Sequence, residues 1–379
     1  GGQTDGGQTD GGQTDGGQTD GGQTDGGQTD GGQTDGGQTD GGQTDGTDPT
    51  DEQPTPVTEP LNDDEDGVMQ DQVHINASVA QTASEIQRAL ARTGYWQREL
   101  RTTAVKLDPS KRYGFGIGGT GLWQDEDGNY AATLSSAVRV SDRITLGGAV
   151  SVMSDERVND TTERGLGYGF SSYLDLGLMS YGGGQFALRL DGAYARSSYD
   201  IKRGVGLANV QIGSDDVEFD SAGFGATLRY DFAFSDDTTF SPYAGVYYER
   251  THMDGYAESL DLATALHFDD QTQTATVVTA GLNASHAWGN GFSVQGGVGA
   301  ELDVHVDGTR LNGSIDLVGE TPVSFDPEQD RRSVRGHAMI GFAYDISATQ
   351  RIEWVSQIES PTYNNDWTES SNLRYLVSF

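Results

Sequence analysis

Between Tyr113 and Phe379, apolar and aromatic side chains recur at every second position in twelve separate segments, which rules out a helical body for most of the chain. The first segment sets Tyr113, Phe115 and Ile117 against Gly114, Gly116 and Gly118. The sixth carries Ala222, Phe224, Ala226, Leu228, Tyr230, Phe232 and Phe234, and the last sets Leu373, Tyr375, Val377 and Phe379 against Arg374 and Ser378. The alternate faces hold charge: Arg189 and Asp191, Arg229 and Asp231, Glu301, Asp303 and His305, Arg335 and His337, Arg351 and Glu353. A soluble sandwich would also turn charges outward, so strand length and connections decide. Many segments approach or pass the roughly 9 to 11 residues that cross a bilayer at a tilt.

The connections alternate in length. Short ones lie at 141–142, 181–184, 235–238, 289–291 and 347–350; long ones span 154–163, 200–216, 254–271 and 307–330. Tight turns at one rim and long acidic loops at the other are the pattern of an outer-membrane barrel. Aromatics near strand ends, among them Tyr113, Trp123, Tyr130, Tyr194, Phe234, Phe240, Trp288 and Trp354, suit interfacial girdles. The reading is an all-β chain: a 12-stranded antiparallel transmembrane β-barrel over 113–379, an N-terminal helix in its lumen, and a disordered repeat tail. The last strand pairs with Tyr113–Trp123 and leaves no free edge.

Residues 1–45 are nine identical copies of Gly-Gly-Gln-Thr-Asp, with no apolar side chain to offset the entropy of ordering the backbone. The five-residue period lacks the aliphatic position of calcium-binding rolls, and the singly placed Asp residues offer at most weak multivalent calcium binding. Residues 46–70 form an acidic Pro/Thr linker with Pro49, Pro54, Pro56 and Pro60. Residues 1–67 hold 17 of the 58 acidic side chains and none of the 23 basic ones, a polyanion that argues against a nucleic-acid partner. The chain has no cysteine, so disulfide frameworks and thiolate metal sites are excluded.

In the segment 71–112, Ile75, Val79, Ala83, Ile86 and Leu90 give a helical stripe from Asp71 to Arg92, with Gly94 as its stop. At about 1.5 Å per residue the rod is roughly 33 Å long, close to a bilayer core. Its small residues suit a plug, with the basic exit from Arg92 to Arg112 set against wall acids such as Glu301 and Asp303. A second helix or extended piece covers 95–106.

Glu301, Asp303, His305, Arg335 and His337 are read as an inward-facing charge network, not a catalytic or metal centre, and His286 beside Trp288 as an interfacial residue. No spaced nucleophile and base, HExxH or phosphate loop occurs, so neither enzymatic activity nor a cofactor is expected.

A helix, then twelve strands and the ending Tyr375, Val377, Phe379 resemble the translocator β-domain of monomeric autotransporters, type V secretion, over residues 71–379. The resemblance implies a monomeric barrel in Gram-negative outer-membrane lipid that exports and displays its N-terminal segment on the cell surface. It also implies assembly by the barrel-assembly machinery, with Tyr375, Val377 and Phe379 as the signal. Some members cleave themselves at an Asn-Asn pair in the pore helix; Asn76-Ala77 does not match, and no cleavage by that route is expected. Family passengers are usually long β-helices, whereas residues 1–67 hold no core. Either further sequence precedes Gly1, or the displayed segment is a short hydrophilic brush with an unknown extracellular ligand. The alternatives are an outer-membrane pore, a barrel enzyme or an adhesin.

Overall fold

The computed structural model describes residues 72–107, 110–124, 127–154, 156–259, 262, 264–317, 319–326, 331–360, 362–363 and 367–379; the repeats and the linker lie outside them. Twelve long strands form the body: β1 (Tyr113–Gln124), β2 (Asp127–Ser141), β3 (Ile144–Met153), β4 (Gly167–Tyr181), β5 (Gly184–Arg203), β6 (Gly213–Ser235), β7 (Thr238–Met253), β8 (Gln271–Ala287), β9 (Phe292–Asp307), β10 (Val334–Ser347), β11 (Gln350–Glu359) and β12 (Thr368–Ser378). Each pairs antiparallel with its chain neighbours. β12 closes on β1 with Phe115 opposite Val377 and Ile117 opposite Tyr375. At the seam, Phe379 N–H donates to Tyr113 O at 2.9 Å, and Tyr113 N–H donates back to Phe379 O at 3.1 Å. The closure leaves no strand edge for lipid to meet, as a membrane span requires.

The period of two places the apolar residues on the outside. Phe115, Ile117, Leu134, Val150, Phe170, Phe224, Val298 and Leu373 are all exposed large apolar side chains, which is intelligible only with lipid as the surrounding solvent. Rings mark the two rims of this band. At the short-turn end Trp288, Phe292, Phe342 and Trp354 stack in a row across neighbouring strands, with centroids 5.2 to 6.1 Å apart. At the other end Trp123–Tyr130, Phe170–Tyr194 and Phe224–Tyr248 pair at 6.2, 5.4 and 5.5 Å. From Phe224 to Phe234 on β6 is roughly 33 Å along the strand, or about 25 Å of bilayer at the usual barrel tilt. The tight turn 182–183 uses Gly182 and Gly183 at φ 58° and 86°, a backbone region that favours glycine.

β5 and β6 have 20 and 23 residues, more than the membrane needs, and their ends at Arg203 and Gly213 stand beyond the upper aromatic band. There the long connections, expected to be acidic loops, build a second, four-stranded sheet from Tyr256–Ala257, Leu266–Phe268, Leu311–Asp316 and Glu320–Phe325. Leu266, Phe268, Leu311 and Ile315 alternate within those connections and bury completely or nearly so. They share a core with Tyr199, Ile201, Val217 and Phe219 of the strand extensions and with Ile75, Ala83, Ile86 and Leu90 of the helix.

The helix α1 runs without interruption from Gln72 to Thr102, 31 residues and roughly 46 Å. It passes straight through Gly94, the expected stop. A glycine inside a helix costs only about 1 kcal/mol, and Trp96 and Leu100 beyond it are 2% exposed, burying enough apolar surface to outweigh that cost.

Candidate functional site in the barrel lumen

α1 stands inside the ring of strands, and its two halves meet different surroundings. From Ile75 to Leu90 it packs in the core formed above the membrane by the strand extensions and the small sheet. Small polar residues on its buried faces satisfy themselves on the helix: Ser78 Oγ donates to Ile75 O at 2.7 Å, Thr82 Oγ1 to Ser78 O at 3.0 Å, and Thr93 Oγ1 to Ala89 O at 2.9 Å. From Thr93 the helix enters the level of the lipid band. Trp96 lies over Gly167 and Leu100 over Gly169, where added Cβ atoms would come within 3.0 and 2.4 Å. The expectation that Asp71–Arg92 fills the bilayer thickness is therefore displaced: residues 93–107 occupy the membrane level, because β5 and β6 overshoot the bilayer and sheathe the first five turns.

The basic end of α1 is fastened by ion pairs. Arg98 reaches Glu249 on β7 and Glu359 on β11, each at 3.2 Å. Arg101 meets Asp191 at 3.4 Å and lies over the ring of Tyr247 at 4.1 Å from its centroid. These carboxylates make the direct contacts to the helix, while Glu301 acts on Arg98 from the wall through its charge. Period-two alternation puts Asp191, Glu249 and Glu359 on inward positions. Which of them lies level with Arg98 depends on the stagger of the strands, which the sequence does not display.

Glu301 and Asp303 serve the wall itself. Arg335 contacts Glu301 at 3.1 Å and Asp303 at 2.9 Å, Arg331 pairs with Asp303 at 2.7 Å, and Tyr247 Oη donates to Glu301 at 2.8 Å. His337 sits beside this cluster with Nε2 2.7 Å from Tyr243 Oη, in space that Gly299 leaves open. Four of the five expected network residues thus come together. His305 does not. A bulge skips Val304, so that Thr276 pairs with His305 while Val277 pairs with Asp303. The extra residue flips the alternation: Val306 turns in against Tyr247, Ala275 and Val277, and His305 is exposed. His286 holds an interfacial position, edge-on to Trp288 at 4.6 Å and bonded to Thr238.

Above the membrane a further buried ion pair ties the helix to the loops. Arg203 and Glu258 have fully buried side chains and meet twice, at 2.6 and 2.7 Å; Arg203 also donates to Thr264 O and to Ser78 Oγ on α1. Glu258 accepts in addition from Tyr256 Oη and from Leu266 N–H. Burial, and then the Glu258 carboxylate beside it, raises the Tyr256 phenol above its ordinary range. Nothing in the loop composition pointed to this pair. Tyr375 on β12 and Phe379 just beyond its end face outward, and Phe379 packs near Phe115 with ring centroids 6.5 Å apart.

Comparison with known proteins places these features. A family model described as the autotransporter beta-domain matches residues 112–353. The translocator domain of autotransporter NalP from Neisseria meningitidis is similar in fold at a TM-score of 0.51 and 13% identity, over 79% of this chain and 98% of that one. Esterase EstA from Pseudomonas aeruginosa and Esterase EstA from Pseudomonas putida are each 39% identical over 69 residues, 18% of this chain and 11% of the esterase. The chain therefore spans about a tenth of the length of the curated relatives it matches.

Proposed function

The chain belongs to the autotransporter β-domain family and is an outer-membrane translocator domain, and from this we propose that its own cargo is the segment preceding Gln72, carried through the lumen and displayed at the cell surface. The observation that carries the reading is the single passage of the chain through the barrel. α1 starts among the long loops with Val73 70% exposed, descends to Thr102, and leads to β1 at the short-turn rim. With short turns on the periplasmic side, whatever precedes Gln72 begins outside the cell.

In this reading α1 is the plug left after export, held by Arg98 and Arg101, and the wall cluster of Glu301, Asp303, Arg335 and His337 stiffens the lumen. Tyr375, Val377 and Phe379 are the address read by the barrel-assembly machinery, and the barrel works as a monomer. The displayed segment comprises the GGQTD repeats 1–45 and the acidic linker 46–70, and no cleavage at an Asn-Asn pair of the helix is expected, since Asn76 is followed by Ala77. The esterase similarity does not carry an activity to this chain. It covers 18% of this chain and 11% of the esterase, so most of the esterase lies outside the match.

Antibody raised to GGQTD and applied to intact cells tests the reading. Whole-cell binding at the level reached after permeabilisation is expected, and a tail detected only after permeabilisation would refute surface display. Ester hydrolysis by the purified barrel is expected at the level of a buffer blank.

A further inference from the structure

We propose that the periplasmic half of the lumen is a binding track for polypeptide backbone, gripping carbonyl oxygens of whatever chain is crossing. The proposal rests on the export reading above and names the chemistry by which the lumen holds its cargo. Past Thr102 the chain is no longer helical, and one carbonyl oxygen in the last turn of α1 and three beyond it are each met by a different strand. Arg189 on β5 donates to Arg101 O at 3.3 Å, Arg374 on β12 to Ala104 O at 2.9 Å, Tyr173 on β4 to Val105 O at 3.2 Å, and Arg139 on β2 to Leu107 O at 3.1 Å. The neighbouring carbonyls of Ala104 and Val105 are taken from two sides of the barrel, as successive carbonyls of an extended chain present themselves.

The wall is shaped for a main chain. A Cβ on Gly114 would lie 2.8 Å from Val105 and 2.6 Å from Leu107, so its absence lets the segment lie close to β1. A Cβ on Gly147 would lie 2.3 Å from the Tyr173 ring, so that glycine lets the ring reach inward. A further fit is apolar, Val105 and Leu107 against Ala137, Tyr173 and Leu376, with Ala104 packed beside them.

Donors aimed at carbonyls suit the cargo this barrel has. Every residue presents a carbonyl, proline included, whereas a wall that read amide N–H groups would lose its grip at Pro49, Pro54, Pro56 and Pro60. Three of the four donors are guanidiniums on long side chains, and residues 1–67 offer them 17 carboxylates and no competing cation.

The chain has no native cysteine, so disulfide capture reports contacts cleanly. In the full chain, Ala137→Cys on the wall is combined with Thr55→Cys in the linker or with Leu107→Cys, and cells are pulse-labelled while surface display is followed in parallel. The expected result is an early, transient disulfide from position 137 to position 55 that gives way as the tail reaches the surface, against a lasting one to position 107. Adding Tyr173→Phe and Arg139→Gln should lower the early product about tenfold. Tyr173→Phe alone keeps the ring and removes one donor, and should give a smaller drop even if the double variant fails to assemble. A tail that reaches the surface without ever pairing with position 137, or an early product unchanged by loss of the donors, overturns the proposal and leaves export standing. A tail that never reaches the surface in the unsubstituted chain overturns the export reading, and this proposal with it.

Discussion

Arg203→Met isolates the contribution of the buried ion pair above the membrane. Both side chains are fully buried, and the guanidinium makes two contacts of 2.6 and 2.7 Å to Glu258. Methionine preserves much of the volume and removes the charge, leaving Glu258 with the Tyr256 hydroxyl and the Leu266 amide. Stranding a buried charge in this way costs about 3 to 5 kcal/mol, roughly two to three and a half orders of magnitude in the opening equilibrium of the small sheet. The barrel beneath has its own hydrogen-bond ladder, so the loss should stay local. Proteinase K acting on the membrane-embedded protein reads it out. Cleavage within 254–270 and 308–326 should accelerate by that factor, because cutting follows the open population, while the barrel keeps its heat-resistant gel mobility. Arg203→Met with Glu258→Leu removes both charges and should recover most of the protection. A single variant cut no faster than the parent, or a double variant cut as fast as the single, would refute the reasoning.

Tyr256 gives the same sheet an alkaline limit. Its folded-state pKa is raised by burial and by Glu258, so its contribution to stability is complete below the ordinary phenol value of 10.0 and is lost as pH rises above it. Proteinase K cleavage should therefore climb beyond pH 10, and Tyr256→Phe should flatten that climb. Gly94→Ala should stabilise the plugged state by up to about 1 kcal/mol in a denaturant titration, since the new methyl meets only Thr251 Oγ1 at 3.4 Å; a loss of stability would contradict the helical packing described. Tyr375→Arg, set on the lipid face between Ile117 and Ile352, should cost roughly 2 to 4 kcal/mol near the midplane and less toward the rim. Refolding into vesicles with unchanged urea resistance would contradict its outward placement.

The barrel was legible in the sequence because each strand has one lipid face, and a period of two survives wherever a strand must show apolar groups to lipid on every second residue. Strand order, the tight turns and the β1–β12 closure follow from that alternation and an even count. What escaped depends on neighbours that periodicity does not represent. Gly94 reads as a stop until Trp96 and Leu100 are seen to bury beyond it. The bulge at Val304 inserts one residue and turns His305 out, a shift invisible without its partner strand. Arg98 finds Glu249 and Glu359 from strands far apart in the chain, a meeting set by barrel stagger. Leu266, Phe268, Leu311 and Ile315 alternate inside connections that are acidic, and they bury only because two connections far apart in the chain pair with each other.

The central claim is that the chain crosses the lumen once, with the head of α1 outside the cell and the short turns inside. Two single-cysteine variants of this cysteine-free chain test it: Val73→Cys at the exposed start of α1, and Asp236→Cys in the β6–β7 turn. With a membrane-impermeant maleimide on intact cells, position 73 should label fully, and position 236 only after the outer membrane is opened. Labelling of position 236 on intact cells, or protection of position 73, would contradict the account.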